Sequence, residues 1–325
     1  VAKLIFSLGL VFFGLSMGYI VQRLVEGKRI SLPLTIDALR KKLQKAALLF
    51  FNPVAILGAT WIARLDDIRM IAFPFLGITA LTLGGVLAFT AARMFRLNRK
   101  QTGAYIVSGG FTNIGSLGAL LCFIFLGESG FALVPFYKLF EEFSYYAIGF
   151  PIAKSYSIEA DERETFGGRL KKVFSDIFVL VALSSILIGL VLNFSGIPRP
   201  AFYQTINTVF IPFGALLLLI SIGMAMRFSR ASRFLKESLG IALIKFVLVP
   251  VTIVSIGYLI GLKQADHALP LQVVLILSSM PVGFIAMVPP TIYDLDIDLA
   301  NSCWLTTNFL LIVEIPLLMF LVNYL

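Results

Sequence analysis

Long apolar runs, interrupted at short intervals by polar, glycine-bearing or proline-bearing stretches, follow one another along this whole chain. They lie near 1–24, 46–63, 70–93, 103–126, 131–152, 173–193, 202–226, 238–261, 270–291 and 299–324. Each is close to the ~20 apolar residues that a helix needs to cross a bilayer. The pattern therefore predicts an all-α polytopic membrane protein with ten transmembrane helices. The first run is too long for the core of a signal peptide and ends without a small-residue cleavage site, so it reads as a retained helix. The most polar connection, 154–172, carries Glu159, Asp161, Glu162 and Glu164 before Gly167-Gly168 and reads as a solvated linker. It divides the chain into 1–153 and 173–325, with five runs on each side. Five is odd, so the two halves enter the membrane from opposite sides, which is the geometry of an inverted repeat. Pro53 and Pro212, early in runs 2 and 7, and Pro151 and Pro316, in runs 5 and 10, are matching landmarks.

Composition closes off other classes. Of 325 residues 58% are hydrophobic and 14% charged, against about 45–50% and about 25% in soluble domains; mean hydropathy is +0.93. Neither a water-soluble fold nor disorder fits. The net charge of +9 is no nucleic-acid signal, because the bases cluster by loop. Twenty Lys or Arg flank the odd-numbered connections and four the even-numbered ones. That bias puts the odd loops in the cytoplasm and both termini on the extracytoplasmic side. The loop after span 9 carries Asp294, Asp296 and Asp298 and no base, but acids count little in this rule. Cys122 and Cys303 lie inside apolar runs and read as packing. One histidine cannot supply H-E-x-x-H, and there is no P-loop, so neither a metalloprotease nor an ATPase is indicated and no cofactor is expected.

Spans 4 and 9 depart from good helix material. Residues 108–118 read Ser108-Gly109-Gly110-Phe111-Thr112-Asn113-Ile114-Gly115-Ser116-Leu117-Gly118, poor in helix propensity. Residues 278–283 read Ser278-Ser279-Met280-Pro281-Val282-Gly283, and Pro289-Pro290 follow. Pro281 cannot donate a backbone hydrogen bond and clashes with the preceding turn. Irregular backbone at membrane depth is tolerated only where protein buries it or a cavity meets it. A break also gives the next half-helix a free N-terminus, whose N–H groups and dipole attract an anion. The expected substrate site is therefore Gly110, Thr112, Asn113, Ser278, Ser279 and Pro281. Close helix packing through small residues is the competing reading.

The run Gly109-Gly110-Phe111-Thr112-Asn113-Ile114-Gly115, followed by Gly127-Glu128, resembles the fourth-helix motif of the auxin efflux carrier (AEC) family. Asn52-Pro53, the stretch from Lys245 to Pro250 and Met280-Pro281-Val282 are similar to the same family, and the resemblance covers nearly the whole chain. Where that family has Leu-Pro or Ile-Pro after the break, this chain has Leu117-Gly118-Ala119. The resemblance implies two inverted five-helix repeats with the fold of the bile acid/auxin carrier-like superfamily. It implies a scaffold from helices 1, 2, 6 and 7 and an elevator-type transport domain from helices 3–5 and 8–10, with helices 4 and 9 crossing at their breaks. It also implies small organic anions as substrates and a homodimer formed through the scaffold.

Charges inside the spans cost about 2.5–3.5 kcal/mol each on insertion scales and usually mark function. Span 5 holds Lys138, Glu141, Glu142 and Tyr145, spaced to share one helical face. Span 10 holds Glu314 and span 8 holds Lys245. One lysine beside two carboxyls leaves a carboxyl in excess, so Glu141, Glu142 and Glu314 are the candidate coupling residues. Each can exchange a proton or ligate sodium, and a sodium position near Thr112 and Asn113 is also open. Lys245 is the candidate to balance an anionic substrate, with a structural ion pair as the alternative. The expected protein is a proton-coupled secondary transporter of a small carboxylate, working by alternating access. A sodium-coupled symporter of the bile acid type and a non-transporting receptor or sensor are the alternatives. Its expected partners are the organic anion and membrane lipid, not nucleic acid, and the short loops suit a bacterial inner membrane.

Overall fold

The computed structural model describes residues 2–30, 33–65, 67–157, 175–226, 228 and 231–325. The linker expected at 154–172 lies outside the described residues from 158 onward. The chain opens with α1 (Ala2–Glu26). Next, α2 (Ile36–Ala46) passes through a π turn, Ala47–Phe51, into α3 (Asn52–Trp61). A 3-10 turn, Ile68–Ile71, leads into α4 (Ala72–Met94). Helix α5 (Arg99–Gly110) ends at a first break, and a π turn, Ile114–Gly118, restarts the helix as α6 (Ala119–Tyr137). Then come α7 (Glu141–Phe143), a π turn Ser144–Gly149, and α8 (Phe150–Ser155). Beyond the linker are α9 (Ile177–Phe194) and α10 (Phe202–Gly223). Helix α11 (Leu235–Leu243) joins α12 (Val249–Leu259) through a π turn, Ile244–Leu248. Helix α13 (Leu269–Ser278) ends at a second break, followed by a 3-10 turn Phe284–Met287 and α14 (Val288–Ile292). Finally α15 (Ile297–Phe309) and α16 (Leu311–Tyr324) meet at a 49° bend.

This is an all-α polytopic membrane protein. Among the described residues seven helical stretches are long and apolar enough to cross a bilayer, and the bent pair α15–α16 makes an eighth. The difference from ten has a physical source. The breaks leave α5 and α13 only 12 and 10 residues long, too short to cross alone at 1.5 Å per residue. Helical segments also follow one another from Ile114 to Ser155 for 42 residues, through Gly127 with φ 73° and a turn at 138–140. A second difference is α2. Its residues fall in what reads as a basic loop, yet Thr35 caps a helix there by accepting from the Ala38 N–H at 3.2 Å. None of its residues is fully buried. Arg40, Lys41, Lys42 and Lys45 give it the make-up of an interfacial helix.

Two compact units divide the chain. The first comprises Val1–Leu65, Gly115–Pro135 and Ile177–Met226. Within it α1 and α10 touch backbone to backbone. A Cβ on Gly18 would lie 2.1 Å from the Ile220 carbonyl oxygen, and one on Gly223 would lie 2.2 Å from that of Leu15. Such small-residue contacts let dispersion act where lipid offers no hydrophobic driving force. The Asn193 amide donates to the carbonyls of Thr60, Trp61 and Ala63 at 2.8–3.2 Å, which satisfies the open C-terminal end of α3. Arg199 pairs with Glu128 at 2.7 Å and donates to the Gly58 carbonyl at 2.9 Å.

The second unit comprises Asp66–Ile114, Phe136–Asp176 and Arg227–Leu325, and both breaks belong to it. Asn98 starts α5 with a reciprocal capping box: its side chain accepts from the Gln101 N–H at 3.0 Å, and the Gln101 side chain accepts from the Asn98 N–H at 3.2 Å. Asp67 accepts from the Arg69 N–H at 2.9 Å, while Arg69 donates to the Gly261 carbonyl at 2.6 Å. This ties the entry of α4 to the end of α12.

Candidate functional site

The two breaks meet inside the second unit. After Gly110 the chain is extended, with Phe111 at φ −90° and ψ 127°, and Thr112 stands opposite Val282 in an antiparallel bridge. The Asn113 N–H donates to the Pro281 carbonyl at 2.9 Å, and the Gly283 N–H donates to the Phe111 carbonyl at 3.1 Å. A glycine is required at 283, because a Cβ there would sit 2.9 Å from the Thr112 carbonyl oxygen. Proline at 281 gives up a donor but keeps the carbonyl that Asn113 uses. The backbone groups released by one broken helix are thus met by the other, as burial demands.

In this bridge the N–H and C=O of Thr112 face away from Val282. Both reach Tyr145: the Thr112 N–H donates to the phenol oxygen at 3.0 Å, and the Thr112 carbonyl lies 3.0 Å from that oxygen. Tyr145 also lies 2.8 Å from Glu141 Oε1. The other carboxyl oxygen, Oε2, pairs with Lys138 Nζ at 2.9 Å. Glu141 is 4% exposed. Phe111 and Tyr145 hold each other ring on ring at 4.2 Å, and Gly149 leaves room for the Phe111 ring, whose Cε1 would be 2.3 Å from a Cβ there. On the Val282 side the arrangement is plainer. The Val282 N–H donates to Thr307 Oγ1 at 3.3 Å, and Thr307 donates back to its own helix at Cys303 or Trp304.

Lys245, on the π turn after α11, is 2% exposed. Its ammonium donates to Thr112 Oγ1 at 2.5 Å rather than to a carboxylate. An ammonium carries three donors, and Thr112 Oγ1 is its one hydrogen-bond acceptor among the described residues.

Of the expected site residues, Thr112, Asn113, Pro281, Lys245 and Glu141 come together at this crossing. Gly110 closes α5 and lines an adjacent cavity. Ser278 and Ser279 are buried at the end of α13, with the Ser278 hydroxyl turned back to the Leu275 carbonyl at 3.2 Å. Glu142 is half-buried, with Glu141, Lys138 and Asp176 as its charged neighbours. Glu314 is 6% exposed on α16. Neither Glu142 nor Glu314 bonds to the crossing among the described residues. Sequence reasoning missed Gly283 and the cavity. The cavity holds about 300 Å³ and is walled by Leu81, Gly85, Val107, Phe111, Tyr145 and Ile148. The glycines at 85, 110 and 149 that line it are the signal it left in the sequence. Among the described residues no group of three or more His, Cys, Asp or Glu is placed to hold a metal ion.

No protein-family model matches the chain. It is similar to an uncharacterized transporter of Methanothermobacter thermautotrophicus, 24% identical over 270 residues that cover 82% of this chain and 83% of the relative. It is also similar to an uncharacterized transporter of Methanocaldococcus jannaschii, 26% identical over 239 residues covering 70% and 72%. Both of these distant relatives are described as transporters.

Proposed function

We propose that the chain is a secondary active transporter that moves a small organic anion, a carboxylate, by alternating access with proton coupling. The observation that carries this reading is Lys245. It is a buried ammonium, bonded to a hydroxyl at the point where two helices break, with no carboxylate in direct contact among the described residues. A buried cation with no carboxylate in direct contact is costly, and an anionic solute that contacts it offsets that cost when it binds. The N–H groups of Thr112, Asn113, Val282 and Gly283 are taken up by Tyr145, Pro281, Thr307 and Phe111, so in this reading the anion is met by Lys245 and neighbouring side chains rather than by those amides. Thr112, Asn113, Ser278, Ser279, Pro281 and Gly110 complete the substrate site in this reading, and Glu141, Glu142 and Glu314 are the acids from which the coupling residue is drawn. The relatives' names favour transport over sensing.

The wider architecture in this reading is ten helices in two inverted five-helix repeats, as in the auxin efflux carrier family. The division into two compact units, with both breaks in the second, supports a frame and a moving domain. In that division Gly115–Pro135 goes with the frame. The basic loops lie in the cytoplasm, both termini outside, and the protein works as a homodimer in a bacterial inner membrane.

The test is uptake of radiolabelled small carboxylates by proteoliposomes holding the purified protein, with an imposed pH gradient and then with an imposed sodium gradient. Accumulation driven by the pH gradient is the expected result. Accumulation driven only by sodium replaces the coupling ion, and binding without accumulation makes the protein a sensor.

A further inference from the structure

We infer that Tyr145 converts the protonation state of Glu141 into a hydrogen bond on the crossing backbone at Thr112, which makes it the positioning residue through which the coupling proton acts. This rests on the transport reading above only for its consequence in transport.

The phenol oxygen of Tyr145 has two lone pairs and one hydrogen. One lone pair accepts the Thr112 N–H at 3.0 Å. Two oxygens compete for the single hydrogen, Glu141 Oε1 at 2.8 Å and the Thr112 carbonyl at 3.0 Å. It can serve only one of them at a time. When Glu141 is ionised its carboxylate is an acceptor on both oxygens. Lys138 takes Oε2 at 2.9 Å, and the charge-assisted bond from Tyr145 takes Oε1. The Thr112 carbonyl is then without the tyrosine proton.

When a proton arrives on Oε1, Glu141 becomes a donor. It donates to the remaining lone pair of Tyr145, and the tyrosine O–H rotates onto the Thr112 carbonyl. The only covalent changes are the O–H bond formed at Glu141 and the O–H bond broken in the hydronium that delivers the proton, and all three positions on the phenol oxygen are filled. The residue that gains the bond is the one that holds Lys245 through its side chain and faces Val282 through its backbone.

The charged and titratable groups around this switch are few. Lys138 pairs with Glu141, Glu142 is next to it in sequence, and Lys245 acts on Glu141 electrostatically. Asp176 acts on Glu142. Helix α4, which packs against α7 and the following π turn, contributes only Arg93 at its far end. Helix α8, packed on the same π turn, contributes Lys154 in its last turn.

The experiment uses the full chain in lipid and compares Tyr145→Phe with Glu141→Gln. Phenylalanine keeps the ring that lies on Phe111 and removes only the hydroxyl. Glutamine donates permanently to Tyr145 and so mimics the protonated acid. The direct readout is pH-difference infrared spectroscopy. The carboxyl band that Glu141→Gln removes is expected to shift in Tyr145→Phe, and the accompanying amide change to disappear. In proteoliposomes both variants are expected to lose gradient-driven accumulation by about tenfold or more. Counterflow exchange is expected to persist with a flattened pH profile. The double variant is expected to be no worse than either single one, as residues acting as one unit are non-additive. An unshifted carboxyl band, or additive losses, overturns the inference. A clear infrared switch in a protein that accumulates no carboxylate overturns the transport reading and leaves the switch standing.

Discussion

The two breaks answer the same backbone demand with different chemistry. Where α5 stops, the outward N–H of Thr112 goes to a phenol that is bonded to a buried carboxyl, which is paired in turn with Lys138. Where α13 stops, the outward N–H of Val282 goes to Thr307, whose own proton returns to the helix that bears it. One side is wired to charge and the other is static. The lesson is that a broken helix needs only a hydrogen-bond partner to be stable. A titratable partner is extra, and it marks the side on which function is controlled.

The largest effect is expected at Lys245, which serves the charged side alone. Lys245→Met should weaken carboxylate binding by about 30-fold or more, corresponding to about 2 kcal/mol or more for removing one partner of a buried charge contact. Thermal shift of the purified protein against a series of small carboxylates measures it. Because methionine fills the space without the charge, the protein without ligand should be at least as stable as wild type. Unchanged carboxylate binding in Lys245→Met would remove the anion site from the crossing.

Next comes a substitution that strikes both sides together. Gly283→Ala places a Cβ 2.9 Å from the Thr112 carbonyl oxygen. The neighbours on that side are backbone, which cannot swing away as a side chain can. A loss of about 1–3 kcal/mol in stability is expected, the usual range for overpacking. The same substitution should disturb the pH response, since it pushes on the carbonyl that Tyr145 approaches. Normal stability and a normal pH profile would mean that the two breaks are not locked as the bridge has them.

How far this was legible in the sequence depends on the range of each interaction. The breaks themselves are local, and Gly109-Gly110 and Pro281 announce them. Their meeting is not local: nothing in 111–113 specifies 281–283, and Gly283 acquires its reason only when Thr112 lies against it. The acids show a subtler limit. Regular helical spacing places Lys138, Glu141, Glu142 and Tyr145 on one face, which leaves Glu141 and Glu142 equivalent. In the fold a turn at 138–140 and the π turn at Ser144–Gly149 reset the phase. Among the described residues Glu141 alone then reaches both Lys138 and Tyr145. Helix α2 was hidden for a different reason, because its basic residues look like a loop determinant and an interfacial helix at once.

Thr307→Val sharpens the contrast on the static side. It removes the acceptor of the Val282 N–H and should cost about 1 kcal/mol or somewhat more, as for a buried donor left unmet. Chemical denaturation or thermal unfolding in detergent reads that loss. The pH profile of transport should keep its wild-type midpoint, since no acid or base is bonded to Thr307 among the described residues. A moved midpoint would show that the second break is also part of the proton circuit.

The smallest effect is expected from an acid outside the membrane, and it serves as the control for all pH measurements. The hydrogen bond from the Arg69 guanidinium holds the Asp67 carboxyl below its ordinary range. A carboxyl depressed in the folded state contributes stability that is present above its unfolded value of about 3.9, and that contribution is lost as pH falls through the folded value. Between about pH 5 and pH 8 Asp67 therefore stays ionised in both states and its contribution is constant. Asp67→Asn should lower the unfolding temperature slightly, by an amount that salt reduces, and should leave the pH profile of transport unchanged across that window. If the profile moves instead, the surface anchor between α4 and α12 is feeding the response, and a change at Tyr145 or Glu141 could no longer be assigned to the crossing alone.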